Sequence, residues 1–311
     1  MDQLSLYLPT LLVVAAAPLA GVSAVTLGVV AATLLAWWHG RADLRDEVQE
    51  ALFTRSPFPL WQRLVWLLIE GFWQSVALTL QGWHHLTRGS RRVWIDPAPG
   101  GTPVVLVAGY LENSGTLRVL ARRLRARGFR VVQADFPNTL RRIEKNVASL
   151  REIVEQVRRE TGAAKVAVVG HSMGGVIGRT LVQVDPCAPL DVVVTLGSPH
   201  RGTQMARYGP GPSARDMRPG SAHMLRYPHG RRCHVPVHTL VAWQENITSP
   251  AWASVLGEGE DVLLDAPAGH VGPLFLGRVA DQVERWLLAA GVERVPAEAG
   301  VEVPAAPRVA A

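Results

Sequence analysis

Six consecutive residues, Gly170-His171-Ser172-Met173-Gly174-Gly175, set a serine between glycines at the spacing G-x-S-x-G. A serine hydroxyl is a weak nucleophile near neutral pH. It becomes useful only where a base removes its proton and where the negative charge that develops is stabilised. The pattern meets part of that need by itself. A sharp turn from a strand into a helix lifts the serine above a sheet on strained backbone, and glycine must then stand two residues to either side to avoid clashes. The helix N-terminus that follows favours negative charge beside the hydroxyl. The pentapeptide is specific only in context, and the context is present. Lys165-Val166-Ala167-Val168-Val169 reads as a buried strand and Gly174 to Val184 as a helix. The chemistry implied is nucleophilic attack on an acyl carbonyl.

The elements that must position such a serine run from Thr102 onward. Val104-Val105-Leu106-Val107 and Arg130-Val131-Val132-Gln133-Ala134 read as strands, with further strands at Asp191 to Leu196, Val235 to Ala242 and Asp261 to Leu264. Between them, Thr116 to Arg127 has Leu117, Leu120 and Leu124 on one face and arginines on the other. Leu140 to Glu160 forms a long helix stopped by Thr161-Gly162, and Val271 to Leu288 forms a closing helix. Alternation of this kind means a largely parallel sheet covered by helices on both faces, an α/β fold with its functional groups at the carboxyl ends of the strands. Residues 93–290 are assigned to this domain. From Val292 the chain is Ala, Val, Pro and Glu without period, and 291–311 is expected to be a disordered tail.

The elbow and two further segments make residues Thr102 to Leu288 resemble the α/β-hydrolase superfamily, and within it bacterial lipases and esterases of the triacylglycerol-lipase type. Val193-Val194-Thr195-Leu196-Gly197-Ser198-Pro199-His200-Arg201-Gly202-Thr203 resembles the strand and turn TLGTPHxGT of those lipases, and Asp216-Met217-Arg218-Pro219-Gly220-Ser221 with Leu225 resembles the segment after it. The resemblance implies a Ser-acid-His order along the chain. The base then falls after the last strand, at His270 in Ala268-Gly269-His270-Val271-Gly272. The acid falls after the preceding strand at Glu245, where the family more often has Asp. Asp265 is the alternative, and Asp261 lies at the wrong end of its strand. The oxyanion donors implied are the backbone N–H of Met173 and that of Tyr110, with Leu111 possible, in a turn Ala108-Gly109-Tyr110-Leu111 where lipases usually read His-Gly-x. The expected activity is two-step ester hydrolysis without metal or cofactor. Acyl transfer or thioesterase chemistry on the same fold is the alternative, and a non-catalytic membrane scaffold is a further rival.

The first ninety residues lie outside the resemblance. Leu4 to Trp38 carries no charge, which exceeds the roughly 20 residues of a membrane-crossing helix. Met1-Asp2-Gln3 lacks the basic residue of a secretory signal, so the segment is expected to be retained. Residues 1–40 are read as a transmembrane segment, either one tilted span or a hairpin split by Pro9, Pro18 and Gly21. Trp37 and Trp38 followed by His39, Arg41 and Arg45 give an aromatic belt and a basic flank. That flank places the catalytic domain on the cytoplasmic side of the cell (inner) membrane. Within 41–92, Pro59 to Trp83 reads as an amphipathic helix whose narrow polar stripe holds Gln62, Arg63, Glu70, Gln74 and Gln81. Such a helix either lies in the headgroup region or docks on the catalytic domain.

Composition bounds the rest. At 311 residues, 48% hydrophobic, the chain is too apolar for a disordered protein, and two cysteines exclude a disulfide scaffold. The net charge of +6 is nearly all arginine, since Lys145 and Lys165 are the only lysines. Without interleaved aromatics it does not indicate nucleic acid. The expected partners are an ester or lipid substrate and the bilayer, and the sequence does not fix an oligomeric state. His234 and His238, four apart with His229 nearby, make only a weak metal motif. Arg201 to Arg232 is long for a structureless connection and reads either as a substrate-covering lid or as a plain surface loop. Cys187 and Cys233 each precede neighbouring strands, close enough in the sheet to approach one another.

Overall fold

The computed structural model describes residues 60–88, 92–266 and 268–296, together with Leu27, Gly28 and Ala31. The expected transmembrane segment at 1–40 otherwise lies outside the described residues, as does the tail beyond 296. Among the described residues no helix is long and apolar enough to cross a membrane.

The elements in order are α1 (Leu60–Arg88), β1 (Val93–Ile95), β2 (Pro103–Val107), α2 (Arg118–Ala126), β3 (Arg130–Ala134), α3 (Ile143–Thr161), β4 (Val166–His171), α4 (Met173–Val184), β5 (Leu190–Leu196), α5 (Gly211–Asp216), α6 (Ala222–Arg226), β6 (Val237–Ala242), β7 (Asp261–Leu264) and α7 (Gly277–Ala289). Seven strands form one sheet in the order β1-β3-β2-β4-β5-β6-β7, parallel throughout except for β1, which runs antiparallel to β3. The central strands β2, β3 and β4 are buried along their whole length. That is why they read as continuous β-branched runs rather than as an alternation. Two apolar layers result. One, under α2 and α7, gathers Leu120, Leu124, Val279, Val283 and Trp286. The other, under α3 and α4, gathers Val147, Leu150, Val154, Ile177 and Leu181. Gly162, at φ 72°, ends α3 where the sequence places its stop.

Several boundaries differ from the sequence reading, each for a local reason. The three-residue strand β1 is too short to show a period. The expected closing helix is broken into a 3₁₀ turn at Gly272–Phe275 and then α7, because Pro273 lacks an N–H and Leu276 is extended. The tail expected from 291 is in fact packed as far as 296: Val292 is buried, Thr102 N–H donates to the Glu293 carbonyl (2.9 Å), and Val295 N–H donates to the Gly128 carbonyl (2.8 Å).

The periodicity of α1 leaves its position open. The helix docks on the α/β domain through Glu70 of its polar stripe and through Leu67, Trp73, Val76, Ala77 and Leu80 beside it. Glu70, Ala77 and His84 are buried against the domain, and the Trp73 ring stacks on Phe275 at 4.6 Å. His84 Nε2 lies 2.6 Å from Asp135 Oδ2. The rest of its apolar surface faces outward, with Trp61, Leu68, Phe72, Trp83 and Leu86 all exposed.

Candidate active site

The turn between β4 and α4 holds Ser172 at φ 53°, ψ −125°, a conformation that only surrounding structure sustains in a residue with a side chain. The glycines around it are fixed by space. A β-carbon on Gly170 would lie 2.4 Å from the Gly175 nitrogen, and one on Gly174 would lie 2.3 Å from the Val107 carbonyl oxygen. One on Gly175 would lie 2.1 Å from Ser198 Oγ. Gly175 stands outside the pentapeptide, yet it is as sterically bound as the two glycines inside it. Ser172 is 8% exposed and opens onto a cavity of about 200 Å³ whose lining includes Tyr110, Met205, Met217 and Ile247.

β6 ends at Ala242, and the turn after it delivers Glu245. The loop after β7 delivers His270. The two meet in the interior, with His270 Nδ1 at 2.9 Å from Glu245 Oε1 and 3.0 Å from Oε2. Oε1 also accepts the N–H groups of Ile247 (2.9 Å) and Thr248 (3.0 Å), which hold the carboxylate in place. Gly197, at φ 58°, lies against both. A β-carbon there would be 3.0 Å from Glu245 Oε2 and 3.3 Å from His270 Nδ1. Asp265 is exposed, and Asp261 accepts the N–H groups of Leu256 and Gly257. The carboxylate at His270 is therefore that of Glu245.

Burial disfavours charge on both partners, but each stabilises the other more. His270 and the two backbone N–H groups hold the Glu245 carboxyl below its ordinary value despite burial. The charge and hydrogen bond of Glu245, with Glu112 and Glu70 behind it, likewise raise the His270 imidazole above its ordinary value against burial.

Two residues that sequence reasoning did not single out form a further layer. His171 is buried, with Nδ1 2.9 Å from Glu112 Oε2 and Nε2 3.1 Å from the His270 carbonyl oxygen. Its ring centre is 4.7 Å from that of His270. Burial works against the Glu112 charge, but His171 outweighs it and keeps that carboxyl below its usual value. His171 sits inside the elbow motif, whereas nothing local marks Glu112.

The turn after β2 lies against the serine, since a β-carbon on Gly109 would be 2.8 Å from Ser172 Cβ. Gly109 N–H donates to Glu112 Oε2 (2.8 Å) and Leu111 N–H to Thr139 Oγ1 (3.2 Å), so both N–H groups flanking Tyr110 are committed elsewhere. Met173 is the first residue of α4, where backbone N–H groups have no carbonyl within the helix.

The segment 201–232 is built rather than loose. It contains a 3₁₀ turn at Gln204–Arg207, then α5 and α6, and it supplies Met205 and Met217 to the cavity wall. Asp216 accepts from Arg142 Nη1 and the Ile143 N–H, both at 3.0 Å, and Tyr110 Oη donates to the Pro210 carbonyl. The histidines of the weak metal motif serve the fold. His234 Nδ1 and Nε2 face the carbonyls of Val182 and Ala188, and His238 accepts from the Glu260 N–H while stacking on Trp286. Cys187 and Cys233 are free thiols, and burial with Glu258 beside it pushes Cys233 up to about 12.

A family model described as the alpha/beta hydrolase fold matches residues 102–210. The fold is that of the α/β-hydrolases. Over 55 residues the chain is 44% identical to a triacylglycerol lipase of Pseudarthrobacter phenanthrenivorans, a stretch covering 18% of this chain and 17% of that one. A triacylglycerol lipase of Burkholderia plantarii matches to the same identity over 15% of its length, so the chain spans only about a sixth of the curated relatives it matches. Among solved structures, a Bacillus licheniformis lipase in mature form is similar at 18% identity, TM-score 0.52, over 63% of this chain and 97% of the other. Aspergillus fumigatus lipase B is similar at 18% identity, TM-score 0.55, over 68% and 59%.

Proposed function

We propose that the protein is a membrane-attached serine carboxylic-ester hydrolase of the lipase/esterase type, acting on amphipathic acyl esters. The observation that carries the proposal is the buried Glu245–His270 pair, delivered by loops at the carboxyl end of the same sheet that presents a serine in a strained elbow. In this reading Ser172 Oγ attacks the ester carbonyl and His270 Nε2 takes its proton. Glu245 fixes the tautomer that leaves Nε2 free to accept and stabilises the imidazolium that forms. The N–H groups of Tyr110 and Met173 receive the oxyanion. His270 then protonates the departing alkoxide. Water, activated by the same imidazole, releases the acid and restores Ser172. The apolar cavity walls at Met205, Met217 and Ile247 suit an acyl chain.

Membrane attachment draws support from α1. At 100° per residue, Trp61, Val65, Leu68, Phe72, Trp83 and Leu86 fall within about 60° of one another, on the side turned away from the domain, with exposures from 44% to 79%. A tryptophan-bearing apolar stripe of this kind suits the headgroup boundary. It follows in sequence the uncharged stretch Leu4 to Trp38, and the basic residues His39, Arg41 and Arg45 favour the cytoplasmic side of the cell membrane.

The test is hydrolysis of p-nitrophenyl esters from short to long acyl chains in detergent micelles, for the parent and Ser172→Ala. The proposal expects activity that disappears with Ser172 and favours long chains. Activity confined to short chains makes the enzyme an esterase. A folded parent that hydrolyses no chain length, or one whose activity survives Ser172→Ala, overturns the proposal. Release of the protein from membranes by carbonate wash overturns the attachment.

A further inference from the structure

We propose that Glu70, on a helix that precedes the catalytic domain, is a positioning residue for the general base: its carboxylate grips the loop that carries His270. The inference rests on the assignment of His270 as base. Glu70 is 2% exposed, and its two oxygens accept three backbone N–H groups from one short loop. Oε1 takes Val271 (2.6 Å), and Oε2 takes Gly269 (2.8 Å) and Gly272 (3.0 Å). The fourth N–H of that run, from His270 itself, donates to Asn246 Oδ1 at 2.9 Å. All four amides from 269 to 272 thus point at two side chains, and neither belongs to the loop.

Asn246 is the neighbour of Glu245 in sequence. One turn therefore orients the His270 ring through Glu245 and its backbone through Asn246, while α1 supplies the rest of the grip from the other side. The glycines of the loop follow from this closeness. A β-carbon on Gly269 would lie 2.8 Å from Glu70 Cδ and 2.5 Å from Asn246 Oδ1, and one on Gly272 would lie 2.7 Å from Glu70 Oε2. The sequence Gly269-His270-Val271-Gly272 thus fits around a carboxylate that lies about two hundred residues earlier in the chain. Trp73, one turn further along α1, stacks on Phe275 just past the loop and sets the depth of the helix.

A misplaced base slows proton transfer without changing how substrate binds. An amide at position 70 has one accepting oxygen and turns an NH₂ group toward backbone donors, so Glu70→Gln leaves at least one N–H facing another donor. The groups facing His270 are Glu245 after β6, Glu112 through His171, and Glu70 on α1. Burial raises the Glu70 carboxyl above its ordinary value against the pull of the three N–H groups, so the charge it lends His270 is present only above that raised value. Where that charge is present, its removal lowers the pH at which the base protonates.

The test uses full-length protein in detergent micelles, with sites counted by fluorophosphonate labelling of Ser172. In Glu70→Gln, kcat per labelled site should fall about 10- to 100-fold with KM within twofold, and the acid limb of the kcat/KM profile should move to lower pH. Glu70→Asp should recover part of kcat and keep the parent limb. Hydrogen exchange of the parent, which needs no variant, should show the amides of Gly269, Val271 and Gly272 protected although they lie in a loop. A Glu70→Gln enzyme that loses thermal stability but keeps parent kcat per site overturns the inference, as do unprotected amides in the parent. A parent whose activity does not depend on Ser172 overturns the proposed function instead, and labelling separates the two outcomes.

Discussion

Glu245→Gln tests the acid assignment most directly, because the structure dictates which way the new amide must face. Glu245 Oε1 accepts the N–H groups of Ile247 and Thr248, so the amide oxygen is held at that position. The reversed amide would set NH₂ against two backbone donors, at a cost of about 1–3 kcal/mol for each donor left unpaired. The NH₂ group therefore takes the place of Oε2, 3.0 Å from His270 Nδ1. The oxygen that stays, 2.9 Å from Nδ1, already serves two backbone N–H groups, so the amide NH₂ competes for Nδ1 as an acceptor. The ring proton is then drawn to Nε2, and the nitrogen that should take the serine proton already carries one. The expected loss is about 10³- to 10⁴-fold in kcat with little change in KM. That corresponds to about 4–5.5 kcal/mol of transition-state stabilisation. The assay is steady-state p-nitrophenyl butyrate hydrolysis at pH 8, with circular dichroism to verify the fold. Asp265→Asn serves as the control and should stay within twofold of the parent, since that side chain is exposed. A Glu245→Gln enzyme that folds and loses less than tenfold would refute the reasoning, and a large loss in Asp265→Asn would move the acid role there.

Other consequences follow from the same geometry. Glu245 raises His270 above its ordinary 6.5 against the effect of burial, and an imidazolium cannot take the serine proton. The acid limb of kcat/KM should therefore have its midpoint above 6.5 in the parent, and a profile from pH 5 to 9 with the midpoint below that value would contradict the pairing. Gly174→Ala places a methyl group 2.3 Å from the backbone carbonyl of Val107 on a central strand. It should cost about 3 kcal/mol, seen as a fall of roughly 6–12 °C in Tm by calorimetry. Met205→Trp fills part of the cavity beside Ser172 and should lower the ratio of long-chain to short-chain kcat/KM about tenfold while leaving acetate esters unaffected. An unchanged chain-length profile would show that the acyl chain lies elsewhere.

The elbow was legible in the sequence because its causes are local. Strain at Ser172 and contact between α4 and the ends of β2 and β5 demand glycine within a few residues of the serine, and that demand is written as G-x-S-x-G with a further Gly175. The sheet was legible for a related reason, since strands buried on both faces must be β-branched runs. The choice between Glu245 and Asp265 was not. Both follow strands, and only the arrangement of the turns after β6 and β7 shows which carboxylate reaches His270. Glu112 behind His171 was hidden in the same way, because residues brought together across a sheet leave no mark in local spacing. The helix α1 marks the limit most clearly. Periodicity shows that its polar residues form a stripe, but not which side of the helix meets the protein. Tertiary structure turned Glu70 inward, where one carboxylate satisfies three backbone amides around His270, packed Trp73, Val76 and Leu80 beside it, and left Trp61, Leu68, Phe72 and Trp83 outside. A buried carboxyl group is tolerated where the fold supplies donors for it, and those donors come from a loop about two hundred residues away.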